Sequence, residues 1–554
     1  MTTAQTPSGG DSSSPKESEA YKDFHRRLHP HNCISFSNSS FYSKIQTIYE
    51  AMDDENKFFL SCIAMLSENE VVKRRLLTNW WVGEEKLLKK TASTEEKTPE
   101  EKETDEKTPE ELVDEILDKF REKGLIEPAE KLGKGRVKNY RMHPLVRSAV
   151  IALSGNKFFV FNNDGILTAN ISESNRACII KYQPENRPEN WKMENIDTIF
   201  NVSEPFPDLN LQQLTKKKDS ILGGEWLSRM KNVKVLYLGR WLRSPAYHIE
   251  VESDDFLSGL KSMKGLRLLS LQGISNISKI PNAIGRLKNL IIMDVKECHN
   301  LEALPNDVSL LHNLTYLDVS NCHILDRMPK GISSLSKLQV FKGFVIAAEP
   351  SSDSGGALAE LAGLKELWKL SIIANSNHFP TVTDLDTLHG LPKLRNLAIA
   401  WESKQGSHGT KGLTSVDQTS QALLPPKDLE KLGLQGFPKP KMPYWLVGAS
   451  KSLCPEKLYI KGGMLKTLGN EPQESVKTLC LKFLSDLKTD WKELQDKFPS
   501  MVYLEKVKCP RVTLCPCDED GVWLKSQLEL ELVLQTNSSR DELELELFFF
   551  LNKI

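Results

Sequence analysis

The chain has 554 residues, with 73 Lys and Arg against 74 Asp and Glu, for a net charge of −1. That balance excludes a protein held to nucleic acid or to an anionic membrane by bulk charge. Its ten cysteines are scattered, the opening MTTAQTPSGGDSSSPKESEA lacks the apolar core of a secretory signal, and no stretch approaches about 18 uncharged apolar residues. We therefore expect a reduced, cytoplasmic chain without a disulfide framework or a membrane span.

Residues 1–38 are rich in Ser, Thr, Gly and charge, which predicts a disordered N-terminus. From 39 to 153 the pattern is helical. Phe41, Ile45, Ile48, Tyr49 and Met52 mark one apolar face, Asp53–Asn56 interrupts it, and Phe58, Phe59, Cys62, Ile63 and Leu66 mark a second helix. Ser67 or Asn69 is placed to cap a third helix through Leu76, Leu77, Trp80 and Trp81. Residues 91–111 carry EKTPEE twice and predict a solvated, disordered insertion. A fourth helix runs through Leu112, Ile116, Leu117 and Phe120 and stops at Gly124. Leu125–Ile126 and Val137–Tyr140 predict two strands joined by a KLGKG turn, and His143-Pro144 opens a last helix. Helices with a two-stranded ribbon after them predict a winged-helix-like domain.

Residues 154–230 predict a hairpin, Phe158–Phe161 and Ile166–Ile171 around Asn163-Asp164-Gly165, and the entry to a repeating domain. From 231 to 515 one pattern recurs. It reads Leu266, Leu269, Leu271, Ile274, Ile277, Ile280, Pro281, Ile284, Leu287, and it returns in phase from Leu290 and again from Leu314, a step of 24 residues, with Pro305 and Pro329 in register with Pro281. LxxLxL sets a short strand with alternate side chains inward, and the later apolar positions bury the return segment. No such unit can bury its apolar face alone, so neighbours stack into a leucine-rich-repeat solenoid. Looser copies stand at Val233, Leu236, Leu238; Leu367, Leu370, Ile372; Leu394, Leu397, Ile399; Leu429, Leu432, Leu434; Leu458, Ile460; Leu479, Leu481; and Met501–Cys509. Ala347–Gly356 and Ser403–Ser420 are expected loops. In the tail, 516–554, LELELVLQ and LELEL around NSSRD predict a strand hairpin that covers the solenoid end. The fold class expected is α/β, a leucine-rich-repeat horseshoe preceded by a small helical winged-helix-like domain.

Four segments of the head occur in order: DENKFFLSCIAML, EVVKRRLLTNWWVGE, DKFREKGLIEP and NYRMHPLVRSAVI. They resemble the winged-helix segment of plant nucleotide-binding leucine-rich-repeat disease-resistance proteins. That family's K-x-C-F-x-Y-C-A-x-F, L-I-x-L-W-x-A-E-G, L-x-x-R-S-L-I and M-H-D-L-V-R-D stretches match Lys57–Ala64, Leu76–Glu84, Phe120–Ile126 and Met142–Arg147. The repeats come directly after, as in the family, so the resemblance spans roughly residues 41 to 515. It implies a role in plant defence and innate immunity through protein recognition by the repeat face. The implied partner is a pathogen effector, a guarded host protein or a full-length relative, and not nucleic acid.

Two departures qualify it. No GxxxxGK[ST] occurs in the sequence, and Gly133-Lys134-Gly135 sits in the expected wing turn, so the resemblance implies a truncated member without a nucleotide switch or a cofactor of its own. The family's Met-His-Asp reads Met142-His143-Pro144. In the family that His meets the phosphate of bound ADP and the Asp helps hold the resting state. His143 is the one carry-over, Pro144 offers no acceptor side chain, and an ordinary helix-start histidine is the favoured reading.

No GxSxG, HExxH or DFG is present, so no catalytic residue and no enzyme is expected. Cys509, Cys515 and Cys517 lack the paired CxxC spacing of structural zinc and are expected as core or end cysteines, with no metal. The candidate partner-binding face is the concave strand surface, with Tyr237, Arg240, Ser270, Gln272, Asp294, Lys296, Asp318 and Ser320 pointing away from the core and, further along, Ser371, Ile373, Ala398, Ala400 and Trp401. Asp294 and Asp318 are expected side by side and need a basic group, from Lys296 and its neighbours or from a partner. Two alternatives stay open: a non-functional fragment of a full-length resistance protein, and a winged-helix nucleic-acid binder using Lys73-Arg74-Arg75.

Overall fold

The computed structural model describes residues 40–66, 71–87, 108–129, 137–154, 175–179, 195–202, 225–241, 249–251, 253–346, 358–376, 379–401, 428–447, 455–469 and 471–525. The expected N-terminal disorder, most of the 91–111 insertion, the KLGKG turn, the 158–171 hairpin, both loop insertions and the two alternating tail strands lie outside these residues. The chain divides into two units.

The first unit is helical. Helix α1 (Ser40–Glu50) buries Ile45 and Tyr49. Helix α2 (Asp54–Met65) starts soon after, because Asp53 is its N-cap and accepts from the Asn56 N–H at 2.6 Å. The acidic run that looks like an interruption is thus the start of a helix, with Asp54 and Glu55 facing the positive end of the helix dipole. Helix α3 (Arg74–Gly83) does not use the expected caps. A short strand, β1 (Val72–Lys73), leads directly into it, and Lys73 takes the N-cap position without a side-chain bond. Helix α4 (Pro109–Glu122) begins earlier than its apolar stripe implies. Thr108 and Glu111 form a capping box and Pro109 fills the first turn, so the end of the second EKTPEE copy is helical. Gly124, at φ +67°, ends it.

Strands β2 (Glu127–Pro128) and β3 (Asn139–Arg141) lie one or two residues beyond their expected places. With β1 they form an antiparallel sheet in the order β1-β3-β2. Helix α5 (Pro144–Ser154) starts at the proline, as the sequence indicates. Phe58, Phe59, Trp80, Trp81 and Phe120 form the buried core. Arg176 closes one side, pairing with Glu84 at 2.8 Å and lying over the Phe58 ring at 4.8 Å.

The second unit is a parallel ladder. Its strands are β4 (Thr198–Asn201), β5 (Val235–Tyr237), β6 (Leu268–Ser270), β7 (Ile292–Asp294), β8 (Tyr316–Asp318), β9 (Val340–Ile346), β10 (Lys369–Ala374), β11 (Asn396–Trp401), β12 (Lys431–Phe437), β13 (Lys457–Gly463), β14 (Thr478–Lys482) and β15 (Tyr503–Val507). Each pairs with the next in sequence. Within the second unit the ladder therefore begins at Thr198, before the expected residue 231. It ends on β16 (Val522–Leu524), antiparallel to β15. The leucine positions are buried throughout, and Leu269, Leu290, Leu314 and Leu317 are fully so. On the return side, Pro281 and Pro305 each precede a short 3-10 helix.

One repeat escapes the sequence pattern. Leu338 and Phe341 continue the step, but Gly343 stands where the next inward side chain belongs. The strand bulges there, with Gly343 at φ +81°, and Phe344 takes the inward place. A Cβ at Gly343 would stand 2.7 Å from the Ser320 backbone, so only glycine fits.

Candidate partner-binding face

Side chains alternate along each strand, so the residues flanking the leucines point to the concave side. From β5 to β9 one outward row is Val235, Leu268, Ile292, Tyr316 and Val340, and a second is Tyr237, Ser270, Asp294, Asp318 and Lys342. The exposure expected here is not found. Tyr237, Arg240, Ser270, Gln272, Asp294, Lys296 and Asp318 are all buried, and Ser320 is half-buried. The physical cause is the composition of the face. The first row is apolar, and beside it Asp318, Lys342 and Ser320 bond one another, as do Arg240, Lys296 and Glu297. Tyr237 stacks on Phe200 with ring centres 4.4 Å apart.

Asp294 and Asp318 do sit side by side in register. Lys342, one repeat on, answers the charge of Asp318 at 2.8 Å, and the Tyr316 hydroxyl donates to the same carboxylate at 2.9 Å. Ser320 donates to Asp318 through both its hydroxyl and its N–H. Lys296 does not play the part expected of it. Its N–H donates to Asp294 at 3.1 Å, while its ammonium, together with Arg240, pairs with Glu297.

Glu297 is a residue the repeat pattern does not single out. It holds φ +60° at the strand end, a left-handed position shared by Asn321 and Phe483. Burial alone would raise its carboxyl, but the bonds and charges of Lys296 and Arg240 hold it down from 4.5 to about 2. A carboxylate depressed in the folded state contributes stability that is complete above its unfolded value and is lost as pH falls through its folded value. We expect the stability deficit of Glu297→Gln, read by urea unfolding, to be full at pH 7 and to shrink below pH 4.5 towards pH 2. An equal deficit at pH 7 and pH 2.5 would refute this.

Beyond β9 the face opens. The rows become Ser371, Ala398, Gly433, Tyr459, Cys480 and Glu505 in the middle, with Lys369, Asn396, Lys431, Lys457 and Thr478 on one side. Ile373, Ala400, Gln435, Lys461 and Lys482 form the other side. Ala398, Gln435, Lys457 and Lys461 are exposed, and Ser371, Ile373, Ala400 and Tyr459 are half-buried. Lys431 lies over the Tyr459 ring at 4.1 Å. Trp401 does not join this surface. It turns inward, 5% exposed, donates to the Phe379 carbonyl at 3.1 Å and meets Phe437 edge-on. Its place comes from alternation: it stands two residues after the inward Ile399. Phe483 is 46% exposed although its backbone is left-handed at φ +57°, a costly conformation for a bulky residue.

The other candidates resolve simply. His143 is exposed, and its Nδ1 accepts from the Leu145 N–H at 3.2 Å, which is the work of a helix start. Cys509 is buried with its thiol on the Leu481 carbonyl, and Cys515 bonds the Thr513 carbonyl. Arg74 pairs with Asp114 at 2.6 Å. Among the described residues no three His, Cys, Asp or Glu side chains gather as a metal would require, and no helix is long and apolar enough to cross a membrane.

Against known proteins, residues 214–509 match the family model of the leucine-rich repeat region. The chain is 25% identical over 495 residues to the disease resistance RPP13-like protein 4 of Arabidopsis thaliana, covering 88% of this chain and 53% of that one. It thus spans about half the length of this curated relative. Among solved structures, an internalin of Listeria monocytogenes is 16% identical over 58% of this chain and 76% of that one, with a TM-score of 0.36. The repeat ectodomain of the plant receptor kinase GASSHO1/SCHENGEN3 from Arabidopsis thaliana, in complex with CASPARIAN STRIP INTEGRITY FACTOR 2, is 15% identical over 56% of this chain and 32% of that one, with a TM-score of 0.32.

Proposed function

From the premise that this chain belongs to the leucine-rich repeat family and is related to plant disease-resistance proteins, we propose that it acts in plant defence by recognising another protein on its concave face. The observation that carries this reading is the change along the ladder. The face is buried from β5 to β9 and most accessible from β10 to β13, so the recognising surface is in the second half and not at the residues around Asp294 and Asp318. A buried side chain cannot meet a partner, whereas an open row of Tyr, Lys and small residues can. The partner is a pathogen effector, a guarded host protein or a full-length relative, met in the cytoplasm.

The small antiparallel sheet beside the helices of the first unit supports a winged-helix reading for residues 39–153. With no phosphate-cradling loop in the 554 residues, the chain works without a nucleotide switch of its own. Calorimetry of the purified chain with ADP is expected to show no binding at micromolar concentration, and stoichiometric micromolar binding would refute this part. For recognition itself, proximity labelling in plant tissue compares the chain with an Ala398→Arg variant, which fills the middle row. Loss of labelled partners on that substitution is expected. An identical partner set would move the interface off the concave face.

A further inference from the structure

We propose that the open half of the concave face takes an extended, acidic segment of a partner protein, lying across the strands with carboxylates on both of its edges. This rests on the recognition reading above and adds the chemistry of the ligand.

The charge is one-sided. Across β12 to β15 the outward rows carry Lys431, Lys457, Lys461 and Lys482, against the carboxylate of Glu505, which Lys482 already meets at 2.9 Å. The lysines also stand next to their own kind. Lys431 is in register with Lys457, and Lys461 with Lys482, so like charges are placed on neighbouring strands about 4.8 Å apart. An anion laid beside the exposed Lys457 and Lys461 eases this crowding, while Lys482 is already met by Glu505. Lys457 and Lys461 are exposed.

The shape is equally specific. Lysines stand on both sides of the middle row at Tyr459, Lys457 and Lys461, and on one side at Gly433, Lys431, and at Cys480, Lys482; the floor continues from Gly433 to Ala398, between Asn396 and Ala400. Each lysine row is two residues from the middle row, about 7 Å along the strand. A chain laid along the middle row needs small residues beneath its backbone. If it is extended, its successive side chains point to opposite edges. Consecutive Asp or Glu residues then reach the two lysine rows in alternation. A single-stranded nucleic acid carries its phosphates along one line and favours several stacked aromatic platforms, for which this floor of Ala and Gly is unsuited.

The test uses the full chain and fluorescein-labelled probes: octaglutamate, octaglutamine and a twelve-residue thymidine strand. Octaglutamate is expected to bind, octaglutamine not to bind, and the thymidine strand to bind more weakly than octaglutamate. Lys457→Glu/Lys461→Glu, two exposed positions, should keep the wild-type melting temperature and lose octaglutamate binding at least tenfold. Raising salt from 50 to 300 mM should weaken the wild-type complex similarly. No octaglutamate binding, equal binding by the reversed variant, or tighter binding of the thymidine strand would each overturn the proposal. Partner capture separates the two readings. A partner lost on Ala398→Arg but kept by Lys457→Glu/Lys461→Glu leaves recognition standing and removes the acidic segment. A partner kept by both variants removes recognition by this face.

Discussion

Asp318→Ala is expected to destabilise the solenoid by about 3–5 kcal/mol, the cost of leaving a buried charge without its counterion. The carboxylate is 1% exposed and is met by Lys342, the Tyr316 hydroxyl and Ser320. Removing it takes the carboxylate away from a Lys342 side chain that is 10% exposed and meets the Tyr316 hydroxyl, beside the apolar row of Ile292, Tyr316 and Val340. Asp318→Asn should cost less, because the amide oxygen can still accept from the hydroxyl and N–H of Ser320. Asp318→Leu combined with Lys342→Met should recover most of the loss, since an apolar pair of similar volume replaces the ions. Read from the sequence alone, changing both Asp294 and Asp318 to Asn is expected to leave melting nearly unaltered. The structure reverses this for Asp318. Chemical denaturation of these variants decides it, and a melting temperature of Asp318→Ala equal to that of the wild type would refute the buried ion pair.

Leu317→Ala comes next in size, at about 2–5 kcal/mol. Leu317 is fully buried and lies in register between Met293 and Phe341, so the missing methyl groups leave a cavity that neighbouring strands cannot close without breaking the ladder. Because each repeat rests only on its neighbours, opening should appear first around residues 290–340. Hydrogen exchange that rises evenly along the whole solenoid, or does not rise at all, would contradict that coupling.

Much of this architecture can be read from residue order because the repeat imposes strict demands. A leucine that fails to point inward exposes itself, so the inward positions of β6, β7 and β8 repeat without exception. Where the demand is met by another device, the pattern hides it. Gly343 gives up an inward side chain and the bulge supplies Phe344 instead, so the repeat pattern passes over β9. In the head, Asp53 looks like a break in an apolar stripe and Thr108 like part of a polar insertion, because a cap is polar by nature, and both helices start there. The face departs from expectation for a different reason. Alternation places Asp318 and Tyr237 outward but says nothing of what lies beside them. The signal is present in the sequence: Leu268, Ile292, Tyr316 and Val340 are apolar at an outward position in four successive strands, which marks a face withdrawn from solvent. Lys342 cannot be assigned to Asp318 while its own strand goes unrecognised.

The in-register ladder also acts as a ruler under mechanical load. Leu269, Met293 and Leu317 stand directly beside one another on successive strands. A pull applied between the solenoid's ends therefore loads one inter-repeat seam at a time rather than shearing many together. Each seam that yields in the regular part frees one repeat, the 24 residues that separate Asp318 from Lys342, or about 80 Å of chain. In an optical trap the stretch from Leu266 to Leu338 would give evenly spaced rips. Beyond Leu370 the spacing would become irregular, so the lengths alone would show which half of the molecule had come apart.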